Sequence, residues 1–311
     1  MNKFKKIVAV DPTRLPDAWI ARLADYGESV LLFPDIPKDK AEILDRIGDA
    51  DCVLVNLTTR IGENILAACP DLKYVGMCCS LYTPESANVD IAAATRLGIV
   101  VLGVRDYGDE GVAEYVVSEL VRLLHGFGAA MWREYPVELT NLNVGIIGMG
   151  ATGKLIARAL KFFGANIFYN SRTRKPDLET TERYVYQSLD DLLATTDIVC
   201  TCLHKNVVVL HEPELERFGN GKIIVNIGLS PSFSQPAIDK WLQCPGNYLL
   251  ADMARAIDPT RKLLDLPNVL CVERSAGMTS LARERLGAKV IANIESFLSG
   301  KQKLRSKEKR G

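Results

Sequence analysis

Short apolar runs alternate with amphipathic segments along most of the 311-residue chain. The apolar runs predict strands at residues 7–10, 29–33, 52–56, 74–77 and 100–102 in the first third, and at 144–148, 167–169, 198–202, 223–226, 248–250 and 269–272 in the rest. Strands that alternate with helices are typical of parallel sheets with helices on both faces. The pattern therefore predicts an α/β fold with two Rossmann-like, doubly wound parallel sheets.

Two helical segments organise this pattern. A long helix-like segment at residues 111–125 separates the two sets of strands, and a final helix at about 280–299 has no strand after it. The final helix can therefore fold back on the N-terminal unit. A chain of this length can hold two domains, each with its own apolar core.

The composition narrows the function. The chain has 38 basic and 38 acidic residues and is 48% hydrophobic, which favours a small-molecule site over a surface for nucleic acid or anionic membranes. No apolar run approaches the roughly 18–20 residues of a bilayer span, and the N-terminus lacks a signal core, so we expect a cytoplasmic protein.

The eight cysteines show no C-x-x-C spacing, which favours reduced thiols and argues against zinc. The basic segment 301–310 is expected to be a solvated end, with recruitment of a partner as the alternative.

A glycine-rich turn joins the strand predicted at 144–148 to the next helix. It consists of Gly148, Met149, Gly150, Ala151, Thr152 and Gly153. In a dinucleotide-binding fold the first glycine permits a tight turn, the second lets the backbone approach a pyrophosphate, and the third lets helix and strand pack closely. The helix N-terminus adds unpaired N–H groups and a partial positive charge. We therefore predict that a nicotinamide cofactor binds here; the alternative is a glycine-rich turn without a ligand.

A basic segment follows the strand predicted at 167–169. An NAD enzyme usually presents an acidic residue there to the adenosine ribose, but this chain has Asn170, Ser171, Arg172, Thr173, Arg174 and Lys175. Cations and hydroxyls suit a 2′-phosphate, because they can form charge-assisted hydrogen bonds with it. We therefore predict NADP(H) in preference to NAD(H), with residues 170–173 as cofactor contacts. The alternative is a solvated basic loop over NAD(H).

Further local patterns extend over almost the whole chain, at residues 71–75 leading to 88–90, 111–114, 191–193 with 197–199, 225–226 and 250–252. With these patterns and the glycine turn, the chain resembles the D-2-hydroxyacid dehydrogenase family. The resemblance implies a flavodoxin-like substrate domain of residues 1–104 plus 282–311, an NAD(P)-binding domain of residues 105–281, and an active-site cleft between them. It also implies a homodimer built around the helix near 111–125, and it places Ile227 and Asp252 among the cofactor contacts.

Three positions depart from the family pattern. The resemblance places a substrate-clamping arginine at Leu229 and a general acid/base histidine at Arg274. It places the glutamate that tunes this histidine at Ile257, with Asp258 available if one residue is inserted. Arginine stays protonated at any working pH, so it cannot cycle a proton, but its planar fork suits a carboxylate. Arg274 is therefore a candidate anchor for an anionic substrate; the alternative is a salt bridge to Glu273 or Asp258.

Reduction of a carbonyl requires a proton donor near the substrate oxygen. His204 follows the strand predicted at 198–202 and is a candidate donor and cofactor contact. Tyr107 is the second candidate, because the resemblance places a tyrosine of D-lactate-type members at this position, facing the cleft. The alternatives are that His204 caps a loop and that Tyr107 packs at a hinge.

The segment 76–87 stands where the family has a short glycine-rich turn that presents amides to the substrate. Within it, Cys78, Cys79 and Ser80 are candidate substrate contacts. Adjacent cysteines rarely form a relaxed disulfide, so packing thiols are favoured over a redox pair.

Two functions follow from these patterns. The favoured one is an NADP(H)-dependent oxidoreductase that transfers hydride to a small carbonyl or imine-type compound with a non-standard catalytic set. The alternative is a catalytically inactive NAD(P)-binding sensor or scaffold protein.

Overall fold

The computed structural model describes residues 2–300; the basic segment 301–310 lies outside the described residues. Within them the strands, β1 to β12, are Phe4–Ala9, Gly27–Leu32, Cys52–Val55, Tyr74–Ser80, Val100–Val104, Asn143–Ile147, Asn166–Asn170, Val185–Tyr186, Ile198–Thr201, Ile223–Asn226, Tyr248–Ala251 and Val269–Cys271. The α-helices, α1 to α11, are Asp17–Ala21, Lys40–Ile47, Glu63–Leu66, Ile91–Arg96, Asp109–His125, Ala151–Phe162, Pro176–Thr181, Leu189–Thr195, Glu212–Phe218, Gln235–Trp241 and Ser280–Leu298.

The described residues divide into two compact units. Residues 2–107 and 279–300 form unit 1, and residues 108–278 form unit 2. None of the helices within residues 2–300 has the length and apolar composition that a bilayer span requires.

Unit 1 contains a parallel sheet with the strand order β2-β1-β3-β4-β5. The central strand β3 is buried over its whole length, because both faces of the sheet are covered. On one face α11 packs against β4 and β5. Gly287 also allows α11 to approach α1 closely, since a Cβ there would lie 2.3 Å from the Trp19 ring of α1.

Unit 2 contains a parallel sheet of seven strands in the order β12-β11-β10-β9-β6-β7-β8. Counted from β6, this is the Rossmann order with one strand added at the β11 edge. Apolar clusters line the two faces of the sheet. The edge strand β8 has two residues, and the apolar pattern did not predict it because so short a run carries no periodicity.

Strand β4 also differs from the sequence prediction. The expected loop from residue 76 is wrong for its first part, because β4 continues to Ser80. Cys78 and Cys79 are 1% and 4% exposed and behave as small apolar residues of a buried strand. The pairing of β4 with β5 changes register between Gly76 and Ser80, which marks an irregularity at the carboxyl end of the strand.

Candidate active site

The glycine turn of unit 2 joins β6 to α6, and its shape excludes side chains at two positions. Gly148 has φ +103°, and a Cβ there would lie 2.4 Å from the carbonyl oxygen of Cys202. A Cβ at Gly153 would lie 2.2 Å from the carbonyl oxygen of Gly148. Both distances are shorter than real Cβ contacts, so only glycine fits without displacement of backbone. The first and third glycines thus have the tight-turn and close-packing roles expected of a dinucleotide fold.

The middle of the turn is open. A Cβ at Gly150 would meet no atom within 4 Å, and Gly150 begins α6 without a side-chain cap. Met149 is 2% exposed and packs in the core, so its side chain holds the turn while the backbone remains available. Thr152 donates its hydroxyl proton to the carboxylate of Asp109 at the start of α5. The turn therefore offers the helix N-terminus and free space that a pyrophosphate requires, and a dinucleotide fits it.

The two arginines of the segment after β7 differ in whether their charge is already paired. Arg174 donates two hydrogen bonds to Glu179, at 2.8 and 2.6 Å, and this pairing lowers the pKa of Glu179 to about 2. Arg172 is exposed, and its side chain has no hydrogen-bond or ion-pair partner among residues 2–300. Arg172 is thus the arginine of this segment that remains available to a ligand.

The polar residues around Arg172 are held by the loop itself. Ser171 Oγ donates to the carbonyl of Thr173 at 2.6 Å. Asn170 Nδ2 donates to the carbonyl of Gln187 at 2.9 Å, and the carbonyl of Asn170 accepts from the Gly148 amide at 2.8 Å. The last of these bonds links the two predicted cofactor segments, residues 148–153 and 170–173, at the carboxyl ends of adjacent strands.

Further predicted residues follow the carboxyl ends of β9, β10 and β11. His204 is exposed in the loop after β9, and its carbonyl accepts from the Val207 amide at 3.3 Å. Ile227 follows β10 directly, and its amide donates to the carbonyl of Thr201 at 3.3 Å. Asp252 follows β11; burial raises the pKa of its carboxyl, and the bond from the Ala276 amide at 2.8 Å opposes this.

A buried amide holds the loop after β10, where sequence reasoning used only the Val225–Asn226 pattern. Asn226 has 0% exposure. Its Oδ1 accepts from the Thr201 hydroxyl at 2.7 Å, and its Nδ2 donates to the carbonyls of Ser230 and Ala256 at 3.0 and 2.6 Å. These bonds fix the loop in which Leu229 is partly exposed, so this position presents an apolar side chain.

Arg274 is exposed after β12, and the salt-bridge alternative for it is wrong. Glu273 pairs with Arg261 at 2.7 Å, and the side chain of Arg274 has no hydrogen-bond or ion-pair partner among residues 2–300. Only its backbone is bound, since the Arg274 amide donates to the carbonyl of Asp252 at 2.9 Å. The guanidinium thus remains available to an anion.

Asp258 is the candidate for the carboxylate that tunes the general acid/base, but its oxygens already accept hydrogen bonds within its own turn. It is 2% exposed and accepts from the Thr260 amide and hydroxyl, both at 2.7 Å, and from the Leu263 amide at 3.2 Å. Burial and these bonds act in opposite directions, and the pKa of Asp258 is lowered as a result. The neighbouring Ile257 is fully buried in the core. This arrangement gives Asp258 a turn-stabilising position.

In unit 1, the predicted substrate residues lie at the end of β4 and after β5. Cys78 and Cys79 lie inside the strand and form no disulfide with another cysteine of residues 2–300, and burial raises the pKa of Cys78 well above its ordinary value. Ser80 is partly exposed at the strand end. Burial raises the pKa of Tyr107, and its hydrogen bond with the Ser80 hydroxyl opposes this shift. Ser80 and Tyr107 therefore lie together, whereas the two thiols are core groups.

One residue of unit 1 was missed by the sequence analysis. Asp11 lies two residues beyond β1 and is 1% exposed. Its Oδ1 accepts from the Asn56 amide, the residue after β3, at 2.8 Å, whereas its Oδ2 is buried without a hydrogen-bond partner. The available signal was an aspartate placed directly after a buried apolar strand. Among residues 2–300, no group of three or more His, Cys, Asp or Glu side chains could hold a metal ion.

Known proteins resemble this chain over most of its length. Residues 7–306 match the family model for the D-isomer specific 2-hydroxyacid dehydrogenase, catalytic domain. A glyoxylate reductase of Aeropyrum pernix is 27% identical over 290 residues, covering 85% of each chain. A hydroxypyruvate reductase of Blautia hydrogenotrophica is 25% identical over 301 residues, covering 89% of this chain and 91% of the relative.

A solved structure shares the fold. The acyclic imino acid reductase Bsp5, in complex with NADPH and D-Arg, superposes with a TM-score of 0.81 at 21% identity, covering 95% of this chain and 97% of that one. The family model spans nearly the whole chain. The chain therefore belongs to the D-isomer specific 2-hydroxyacid dehydrogenase family.

Proposed function

We propose that the chain is an NADP(H)-dependent oxidoreductase that transfers hydride to a small carbonyl compound with a non-standard catalytic set. The observation that carries the proposal is the glycine turn, where side chains are excluded at Gly148 and Gly153 and the space at Gly150 is open. Membership of the dehydrogenase family supports the reaction class. The names of the relatives, glyoxylate reductase and hydroxypyruvate reductase, support a small carbonyl substrate.

The preference for NADP(H) rests on Arg172. A 2′-phosphate needs a donor that is not already neutralised, and Arg174 is engaged by Glu179 while Arg172 is not. Ser171 and Thr173 flank Arg172 and can add neutral hydrogen bonds to the phosphate oxygens. When bound, the cofactor supplies the hydride; the protein supplies binding, orientation and charge.

The remaining steps fall to Tyr107, His204 and Arg274. The raised pKa of Tyr107 keeps its phenol protonated at neutral pH, so it can donate a hydrogen bond or a proton to a substrate oxygen. The exposed imidazole of His204 is the second donor. Arg274, whose guanidinium remains available, attracts the carboxylate of an acidic substrate.

The proposal is tested by two measurements on the purified chain. We expect fluorescence titration to show tighter binding of NADPH than of NADH, and we expect NADPH oxidation with at least one member of a panel of 2-oxo acids, aldehydes and ketones. Tighter binding of NADH would contradict the cofactor preference. NADPH binding without turnover across the panel would contradict the oxidoreductase and favour an NAD(P)-binding sensor.

A further inference from the structure

The carboxyl edge of the unit 1 sheet contains an unassigned charged pair, which consists of Asp11 and Arg14. In the order β2-β1-β3-β4-β5, the connections from β1 and from β3 run in opposite directions. This arrangement makes the gap between the ends of β1 and β3 the topological switch point, where open α/β sheets bind ligands. Asp11 follows β1, and its Oδ1 bonds to the amide of Asn56 after β3, so the carboxylate lies at this gap.

The Asp11 carboxylate is only half satisfied. Its Oδ2 and the Thr59 hydroxyl are both buried, and neither forms a hydrogen bond of good geometry, although Thr59 is close enough to lower the pKa of the Asp11 carboxyl. Burial raises the pKa of Asp11, while Thr59, the Asn56 amide and the charge of Arg14 oppose the shift. A buried carboxylate oxygen without a partner carries an uncompensated desolvation cost, which a cationic ligand would remove.

Arg14 supplies the opposite charge beside it. Its side chain is exposed and has no hydrogen-bond or ion-pair partner among residues 2–300, and its charge acts on both Asp11 and Tyr107. Arg14 also has φ +61°, a left-handed conformation that is strained for arginine. Such strain is retained where the surrounding structure fixes it, often at ligand sites. Its backbone is fixed here, because Arg283 of α11 donates to the Arg14 carbonyl at 2.9 Å.

We propose that Asp11 and Arg14 bind a zwitterionic imino acid, with Asp11 taking the protonated C=N group and Arg14 the carboxylate. This inference rests on the proposed function and narrows its substrate class. Ser80 and Tyr107 lie at the same edge of the sheet, and both can donate hydrogen bonds to the substrate carboxylate.

The chemistry of an iminium suits this chain. When bound, NADPH would supply hydride to the carbon of the protonated C=N bond, the π-electron pair of that bond would move to nitrogen, and a neutral amine and NADP⁺ would result. The step needs no proton donor, whereas reduction of a ketone forms an alkoxide that must be protonated. An anionic Asp11 raises the fraction of substrate in the cationic form that accepts hydride.

The test compares two substrates of equal carbon number, the cyclic imino acid piperideine-2-carboxylate and 2-oxohexanoate. We expect kcat/KM with NADPH to be at least tenfold higher for the imino acid. Asp11→Asn, which keeps the acceptor for the Asn56 amide, should lower the ratio of the two kcat/KM values at least tenfold. Arg14→Gln should raise KM for both substrates. The matched control is Asp45→Asn, which changes an exposed carboxylate on α2 and should leave both values unchanged.

Binding provides a readout that does not depend on turnover. Calorimetric titration of the cofactor-free chain with pipecolate, the saturated zwitterion, should give a Kd at least fivefold weaker in Asp11→Asn and in Arg14→Gln than in the wild type. Equal pipecolate affinity in wild type and both variants would overturn the inference, as would an unchanged substrate ratio in Asp11→Asn. If NADPH does not bind or no substrate is reduced, the proposed function fails, and the pipecolate titration alone decides whether this pair is a zwitterion site.

Discussion

The carboxyl edges of the two parallel sheets differ in how they present chemistry to a ligand. In unit 2, the edge is built from backbone, because Gly148 and Gly153 exclude side chains and Gly150 leaves space. In unit 1, the edge is built from side chains, chiefly the half-satisfied Asp11 carboxylate and the exposed Arg14. A backbone site depends on positions that only glycine can occupy, so it can be recognised as a motif in the sequence. A side-chain site depends on which strands are neighbours in the sheet, so its residues form no motif in the sequence.

The largest expected effects separate folding from binding within the glycine turn. Gly153→Ala places a Cβ 2.2 Å from the Gly148 carbonyl oxygen, and such overpacking costs about 1–3 kcal/mol in the free energy of unfolding. Gly150→Ala meets no protein atom, so its cost should stay near the ~1 kcal/mol of an altered helix cap, while NADPH affinity falls at least thirtyfold. Chemical denaturation and NADPH titration measure the two effects. Equal NADPH affinity in Gly150→Ala and wild type would show that the turn does not receive a pyrophosphate.

The proton donors come next in size. Tyr107→Phe and His204→Gln should each lower kcat for a carbonyl substrate about tenfold or more, since general acids typically contribute that much or more. The Kd for NADPH should change little, because neither substitution removes a donor of the glycine turn. Steady-state kinetics on both variants check this. Wild-type kcat in both would remove these two residues from the reaction.

A smaller effect on cofactor affinity is expected from a substitution in the basic segment after β7. Arg172→Gln should weaken NADPH binding about tenfold, the loss of one charge-assisted interaction, and should leave NADH binding unchanged. The matched control is Arg158→Gln on α6, where the arginine is exposed and pairs with Glu182 at 3.0 Å. An equal loss of NADPH and NADH affinity in Arg172→Gln would indicate a role in folding the loop.

The smallest effect concerns the stability of unit 1 as a function of pH. The folded state holds the Asp11 proton more tightly than the unfolded state, so the free energy of unfolding falls as pH rises from the ordinary value of 3.8 through the raised pKa. Asp11→Asn removes this loss of stability. The Tm of the variant minus the Tm of the wild type should therefore be larger at pH 7 than at pH 4. Arg14 and Cys78 are the charged and titratable neighbours. A Tm difference that does not depend on pH would show that Asp11 has its ordinary pKa.

The sequence predicted most of the sheet strands because a buried parallel strand must be apolar on both faces. It did not predict β8, which has two residues, or the continuation of β4 to Ser80 through two cysteines. For Arg274, sequence reasoning supplied the candidate salt-bridge partners, but the pairing of Glu273 with Arg261 depends on how the loops after β11 and β12 approach each other.

The sequence by itself determined the alternation of strands and helices, the glycine turn and the basic segment after β7, because each depends on residues close together in the chain. The tertiary structure alone decided that Asp11 lies beside Asn56, that Arg174 is neutralised while Arg172 is available, and that Asp258 stabilises a turn. Contacts of that kind depend on strand order and on the paths of loops. Local hydrophobic patterns contain neither.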